Sequence, residues 1–166
     1  DLANLDLSPT EMRAMGEAVL ARVVAHLAGL PDAPSCGDFR GIEALCRSMR
    51  ESVPEQGTAL DALLAPLFDE WIPRSFTAPG PGYLAYIPGG GIYPAALADF
   101  IADTTNRYTG IWQAAPALVQ LEANALDWLR DWMQFPAETR GLFTTGGSMA
   151  MFNAIACARE KLLGDD

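Results

Sequence analysis

The sequence predicts a mainly helical chain that closes on the first strand and helix of an α/β domain. Apolar residues recur at helical spacing behind capping residues along most of its length. Near the C-terminal end a strand-like "GLFTT" runs through Gly-Gly-Ser into another helix, after a long uncharged loop rich in proline and glycine has interrupted the helical pattern.

The first helix opens at Ser8, Pro9 and Glu11, which read as an N-cap, a first-turn proline and a capping-box glutamate. Met12, Met15, Val19, Val23, Leu27 and Leu30 follow on one face. "LPDAPSCGD" breaks that pattern, and a short helix is expected over Gly41–Arg50. "TALDALLAPLFDEW" gathers Leu60, Leu63, Leu64, Leu67, Phe68 and Trp71 on one helical face, with Pro66 inside it predicting a kink or a late start. Beyond the uncharged loop, Pro94 opens a helix running to about Tyr108, and Pro116 opens another that stops before Pro136. Gly141–Thr145 reads as a short buried strand, and the last helix runs from the Gly-Gly-Ser turn to about Leu162. A lone strand followed by a helix is half of a βαβ unit, so the rest of its sheet is expected outside these residues.

A chain of 166 residues, half of them apolar, suits one domain or a part of a larger one. Its formal net charge is −10, with 11 basic residues and no basic run, which argues against a nucleic-acid partner. Cys36, Cys46 and Cys157 are widely spaced and form neither a metal-ligand pattern nor a disulfide framework, so a reducing cytoplasm is the simplest expectation. The acidic, polar N-terminus carries no secretory signal. Ser75–Ala98 lacks charge over a length that could span a bilayer, yet it holds four prolines and five glycines. A lipid-exposed helix cannot leave so many backbone groups unpaired, so this stretch reads as a covered loop and the chain as soluble, with no membrane partner.

Strand, Gly-Gly-Ser, helix is a geometry that presents backbone N–H groups and a hydroxyl to an anion. By spacing alone it is also a tight turn with a serine cap, the commoner arrangement. "GGSMA" nearly fits a nucleophile elbow, but that chemistry needs a histidine near Ser148, and His26 on the first helix is the only one. His26 reads as a helix-surface or packing residue. No dinucleotide fingerprint is present, and Glu122, Asp127 and Asp131 read as the solvated face of a helix. "PGYLAYIPGGGIYP" (81–94) and "NRYTGIWQAAPALVQLE" (106–122) alternate rings with small residues, which suits either core packing or the wall of an aromatic-lined pocket.

Three segments taken together, "GYLAYIPGGGIYPAALADFIADTTNRYTGIW", "QAAPALVQLEANALDWL" and "GLFTTGGSMAMFNAIACARE", resemble the group II pyridoxal-phosphate-dependent amino-acid decarboxylases, which include the aromatic-L-amino-acid decarboxylases. The resemblance covers nearly the whole chain, in the family's order and separation. It implies an aspartate aminotransferase-like (fold type I) architecture, with residues 1–92 as a helical dimerisation arm and pocket loop. Residues 93–166 would begin the large cofactor domain. It implies pyridoxal 5'-phosphate as cofactor, an L-amino acid as substrate, release of CO₂ by a cytoplasmic homodimeric lyase, and no metal. By position, Gly147 and Ser148 fall where the family holds the cofactor phosphate. Tyr86, Ile87 and Pro88 match its substrate-pocket loop, and Tyr108 to Trp112 match a second pocket segment that reaches across the dimer interface in relatives. The rings of Tyr86 and Trp112 lean toward an aromatic or bulky substrate. Many members have histidine where this chain has Gly80, which bears on substrate class.

The same chemistry requires a lysine to bind the cofactor aldehyde. The one lysine, Lys161, stands 13 residues beyond Ser148 on the same helix, roughly 20 Å along its axis. No catalytic residue is therefore expected within these 166 residues; the lysine, an aspartate and a histidine are expected downstream of Asp166, and the chain alone is expected to be inactive. The reading from another class is a non-catalytic helical module that binds a partner through its apolar faces.

Overall fold

The computed structural model describes residues 6–87 and 89–164, and the fold is mainly helical, as expected. The chain divides into two compact units, Asp1–Ala98 and Asp99–Asp166.

In the first unit, α1 spans Pro9–Gly29, and both halves of the capping box are formed at its start. The Ser8 amide donates to Glu11 Oε2 at 2.7 Å, and the Glu11 amide donates to Ser8 Oγ at 3.3 Å. A short α2 covers Ile42–Ser48, inside the expected range. α3 covers Leu60–Pro66, then widens into a π-helical turn over Leu67–Trp71 and tightens into a 3₁₀ turn over Ile72–Arg74. The break falls at Pro66, which has no N–H to donate and whose ring crowds the carbonyl one turn back. α1 packs against α3. Arg22 reaches Asp69 at 2.8 Å, and the His26 ring meets Phe68 edge-on at 6.3 Å, so His26 is a packing residue.

A backbone clip closes this unit. The Gly37 amide donates to the Ser75 carbonyl at 3.0 Å and the Thr77 amide to the Ser35 carbonyl at 3.1 Å, bridging Cys36 and Phe76 antiparallel. Only glycine fits at 37, because a Cβ there would collide with the Pro73 carbonyl. Two consecutive turns follow, with the Gly80 amide bonded to Thr77 O at 2.9 Å and the Tyr83 amide to Gly80 O at 3.2 Å. Gly80 is buried, and a Cβ there would press on the Thr77 methyl at 3.0 Å. The loop is thus folded tightly around Gly80.

α4 spans Tyr93–Thr105, three residues short of the expected end. Asn106 takes a left-handed conformation (φ 43°), and its amide donates to Ala102 O at 2.9 Å, closing the helix in the manner of an αL cap. In the second unit α5 covers Pro116–Trp132 and ends before Pro136, as expected. α6 covers Gly147–Leu163 and stops at Gly164, where φ is 70°. The expected strand at Gly141–Thr145 is corrected: these residues precede α6 but belong to no strand, and no strand is formed among the described residues. Strand geometry is stabilised by a ladder of bonds to a neighbour, and here no neighbour supplies one.

The apolar stripes read from the sequence exist but lie largely uncovered. Leu64 is the one large apolar side chain below a tenth exposed among the described residues, at 7%. Met12, Met15, Val19 and Leu27 of α1 and Leu63 of α3 are all exposed.

Candidate functional site

The features that make an anion site meet at the start of α6. Gly146 is its N-cap, and no side chain caps the helix there. The first intrahelical bond is from the Ala150 amide to Gly146 O at 3.0 Å. The amides of Gly147, Ser148 and Met149 therefore lie in the first turn, where a helix has no internal acceptor, at the positive end of a 17-residue helix dipole. The Ser148 hydroxyl makes no hydrogen bond among the described residues. Nothing lies within 4 Å of where a Cβ would stand on Gly146 or Gly147, so the glycines leave open space beside those donors. Free amides, a hydroxyl and room for oxygens fit a phosphate group. Lys161 sits in the last turn of the same unbroken helix, which keeps it roughly 20 Å from Ser148.

Of the residues expected in a substrate pocket, Tyr86 and Ile87 belong to the first unit, Tyr108 and Trp112 to the second, and Pro88 lies outside the described residues. Tyr86 is 82% exposed and holds a left-handed backbone conformation (φ 60°), unusual for a bulky side chain. Its ring leans on Phe76, with centroids 6.2 Å apart, and Phe76 also meets Tyr83 and, edge-on, Phe39. Ile87 is 98% exposed. Tyr108 folds its ring over Gly110, where a Cβ would strike it at 2.6 Å, and Trp112 opens a 3₁₀ turn with its ring exposed.

Two residues belong beside these and were not singled out by sequence reasoning. Phe76 supports Tyr86, and the only hint was an aromatic residue two positions after Arg74. Thr144 donates from Oγ1 to Gly146 O at 3.1 Å, and its signal was the threonine pair ahead of the glycines. The groups with shifted ionisation lie elsewhere. Asp38 is held low by bonds from the Arg40 side chain and amide, and that pair holds Arg40 high. Arg130 is held high by Asp131 and Asp127, whose carboxylates pair with its guanidinium at 2.9 and 2.6 Å. A hollow of about 500 Å³ in the second unit is lined by Leu126, Leu129, Met133 and Phe135 with Arg140, and none of the candidate residues faces it. No group of three or more potential metal ligands occurs among the described residues, and no helix there is long and apolar enough to cross a membrane.

The sequence profile of the pyridoxal-dependent decarboxylase conserved domain matches residues 43–165. The chain belongs to that family. It is 32% identical over 163 residues to an aromatic-L-amino-acid decarboxylase of Bacillus atrophaeus, covering 98% of this chain and 34% of that protein. It is 25% identical over 167 residues to the aromatic-L-amino-acid decarboxylase of Rattus norvegicus, covering 92% and 33%. The chain thus spans about a third of the length of these relatives. In fold it is similar to a crystal structure of Oryza sativa TDC with PLP and tryptamine, with a TM-score of 0.81 at 23% identity over 95% of this chain and 35% of that one. A Catharanthus roseus tryptophan decarboxylase in complex with L-tryptophan gives 0.77 at 22% identity, over 97% and 36%. The family and fold class expected from the three sequence segments are borne out.

Proposed function

We propose that this chain is the N-terminal portion of a pyridoxal-phosphate-dependent L-amino-acid decarboxylase, a homodimeric carboxy-lyase. Residues 1–92 form its helical dimerisation arm and residues 93–166 begin its large cofactor domain. Gly147 and Ser148 hold the cofactor phosphate. Tyr86, Ile87 and Pro88 belong to a substrate-pocket loop, and Tyr108 and Trp112 to a second pocket segment that reaches across the dimer interface, with preference for an aromatic or bulky side chain. The observation that carries the reading is the family match over residues 43–165, within which the open, uncapped helix start falls on the residues that resemble the family's phosphate loop.

The bound cofactor would supply the electron sink that carboxylate loss from an amino acid requires. This chain's part is to bind and orient. The amides at the start of α6 and the Ser148 hydroxyl fix the phosphate end, and the exposed rings give the substrate side chain an apolar surface. The lysine that binds the cofactor aldehyde is assigned to the segment beyond Asp166, because Lys161 is too far along α6. The independent helical module is not favoured, since the family match includes most of the chain.

The test is made in the full-length polypeptide. Ser148→Ala should weaken cofactor binding, read by spectroscopic titration, by roughly tenfold to a hundredfold, the value of a hydrogen bond to a charged group. Gly147→Val should be worse, since a branched side chain would fill the space beside the amides. Wild-type cofactor affinity in both variants would overturn the assignment. CO₂ release from a panel of aromatic, acidic and diamino L-amino acids should be fastest with an aromatic one.

A further inference from the structure

We infer that Thr144 is a positioning residue for the cofactor phosphate, acting through the Gly146 carbonyl rather than by touching the cofactor; this rests on the cofactor reading above. Gly146 stands at φ 150° and ψ 173°, a conformation that favours glycine, and nothing within 4 Å of its missing side chain braces it. Such a turn is free to swing, and with it the plane of the peptide carrying the Gly147 N–H. Two bonds fix it, both on one oxygen. The Ala150 amide donates to Gly146 O at 3.0 Å from the helix side, and Thr144 Oγ1 donates to the same oxygen at 3.1 Å from the incoming chain. A carbonyl has two lone pairs, so both bonds are satisfied together.

The peptide between Gly146 and Gly147 is one rigid plane, so fixing its oxygen fixes the N–H on its far side. The Thr144 bond therefore sets where the first α6 amide points. Thr144 is half-buried while Thr145, Gly146, Gly147 and Ser148 are exposed. Branching at Cβ narrows the side chain's rotamers and helps keep the hydroxyl on its acceptor.

In the full-length enzyme, affinity is measured for pyridoxal phosphate and for pyridoxal, which lacks the phosphate. Thr144→Val keeps the shape and removes the donor. It should raise the dissociation constant for pyridoxal phosphate by roughly threefold to tenfold and leave that for pyridoxal unchanged. Thr144→Ser keeps the donor and should bind pyridoxal phosphate more tightly than the valine variant, close to wild type, and Thr144→Ala is read in the same way as valine should the valine variant fail to fold. An unchanged phosphate-form affinity in Thr144→Val, with Ser148→Ala weakened, overturns this inference and leaves the cofactor reading standing. Equal weakening for both ligands also overturns it, because the residue would then serve general stability. Should Ser148→Ala be without effect as well, the cofactor reading falls and takes the inference with it.

Discussion

Glu11 is exposed, yet the Ser8 side chain and then the Ser8 amide hold its carboxyl below the usual glutamate range. The folded state therefore favours the charged form. Its contribution to stability is present above the ordinary glutamate range and is lost as the pH falls through the lowered value. Glu11→Ala should loosen the first turn of α1 at neutral pH, measured by amide exchange at Ser8, residue 11 and Met12, and the gap between variant and wild type should shrink as the solution is acidified. A gap that stays constant across that range would mean that the charge contributes nothing. Ser8 and Glu11 were legible because a capping box is completed within four residues of sequence. Tyr86 shows the opposite case. Its ring was readable as an aromatic wall, but its left-handed backbone carries no sequence signal, and it rests on Phe76, which is bridged to Cys36 from far along the chain.

The end of α5 closes as a Schellman motif. The Phe135 amide donates to Arg130 O at 3.0 Å and the Gln134 amide to Asp131 O at 3.1 Å, with Gln134 left-handed at φ 56°. Most such positions are glycine, because a side chain there costs about 1–2 kcal/mol. Gln134 is exposed, so replacing it forfeits no packing. Gln134→Gly should therefore stabilise the fold by a net of roughly 0.5–1 kcal/mol after glycine's extra unfolded-state entropy and raise the melting temperature, while Gln134→Val should lower it. Equal melting temperatures for the two would show that the motif carries no strain. Pro136 made this helix end readable to within a few residues, and Pro9 and Pro116 did the same for two starts. The end of α4 was overrun by three residues because Asn106 gives no stronger signal than any polar residue until its φ is known. "GLFTT" has strand composition, but a strand is a property of a pair, and composition cannot supply the partner.

The accessible surface is 14193 Å². A folded monomer of this mass exposes about 8,000 Å², and even two separate globules would stay under about 10,000 Å². The excess is apolar in part: Leu84, Ile87, Trp128, Trp132, Phe152 and Leu162 are all at least 60% exposed, on loops and helices from both units. Surface of that kind is stable in water only when another surface covers it. An isolated chain of these 166 residues should therefore self-associate, with sedimentation velocity showing oligomers or aggregates in place of a monomer peak. It should also show no decarboxylase turnover with added pyridoxal phosphate. Mixed with a polypeptide that starts near Asp166 and carries the rest of the cofactor domain, it should give a defined assembly that binds the cofactor and releases CO₂ from an L-amino acid. A highly soluble monomer that ignores that polypeptide would mean that the apolar faces are not waiting for the enzyme's remainder, and the proposed place of this chain in a decarboxylase would fail with them.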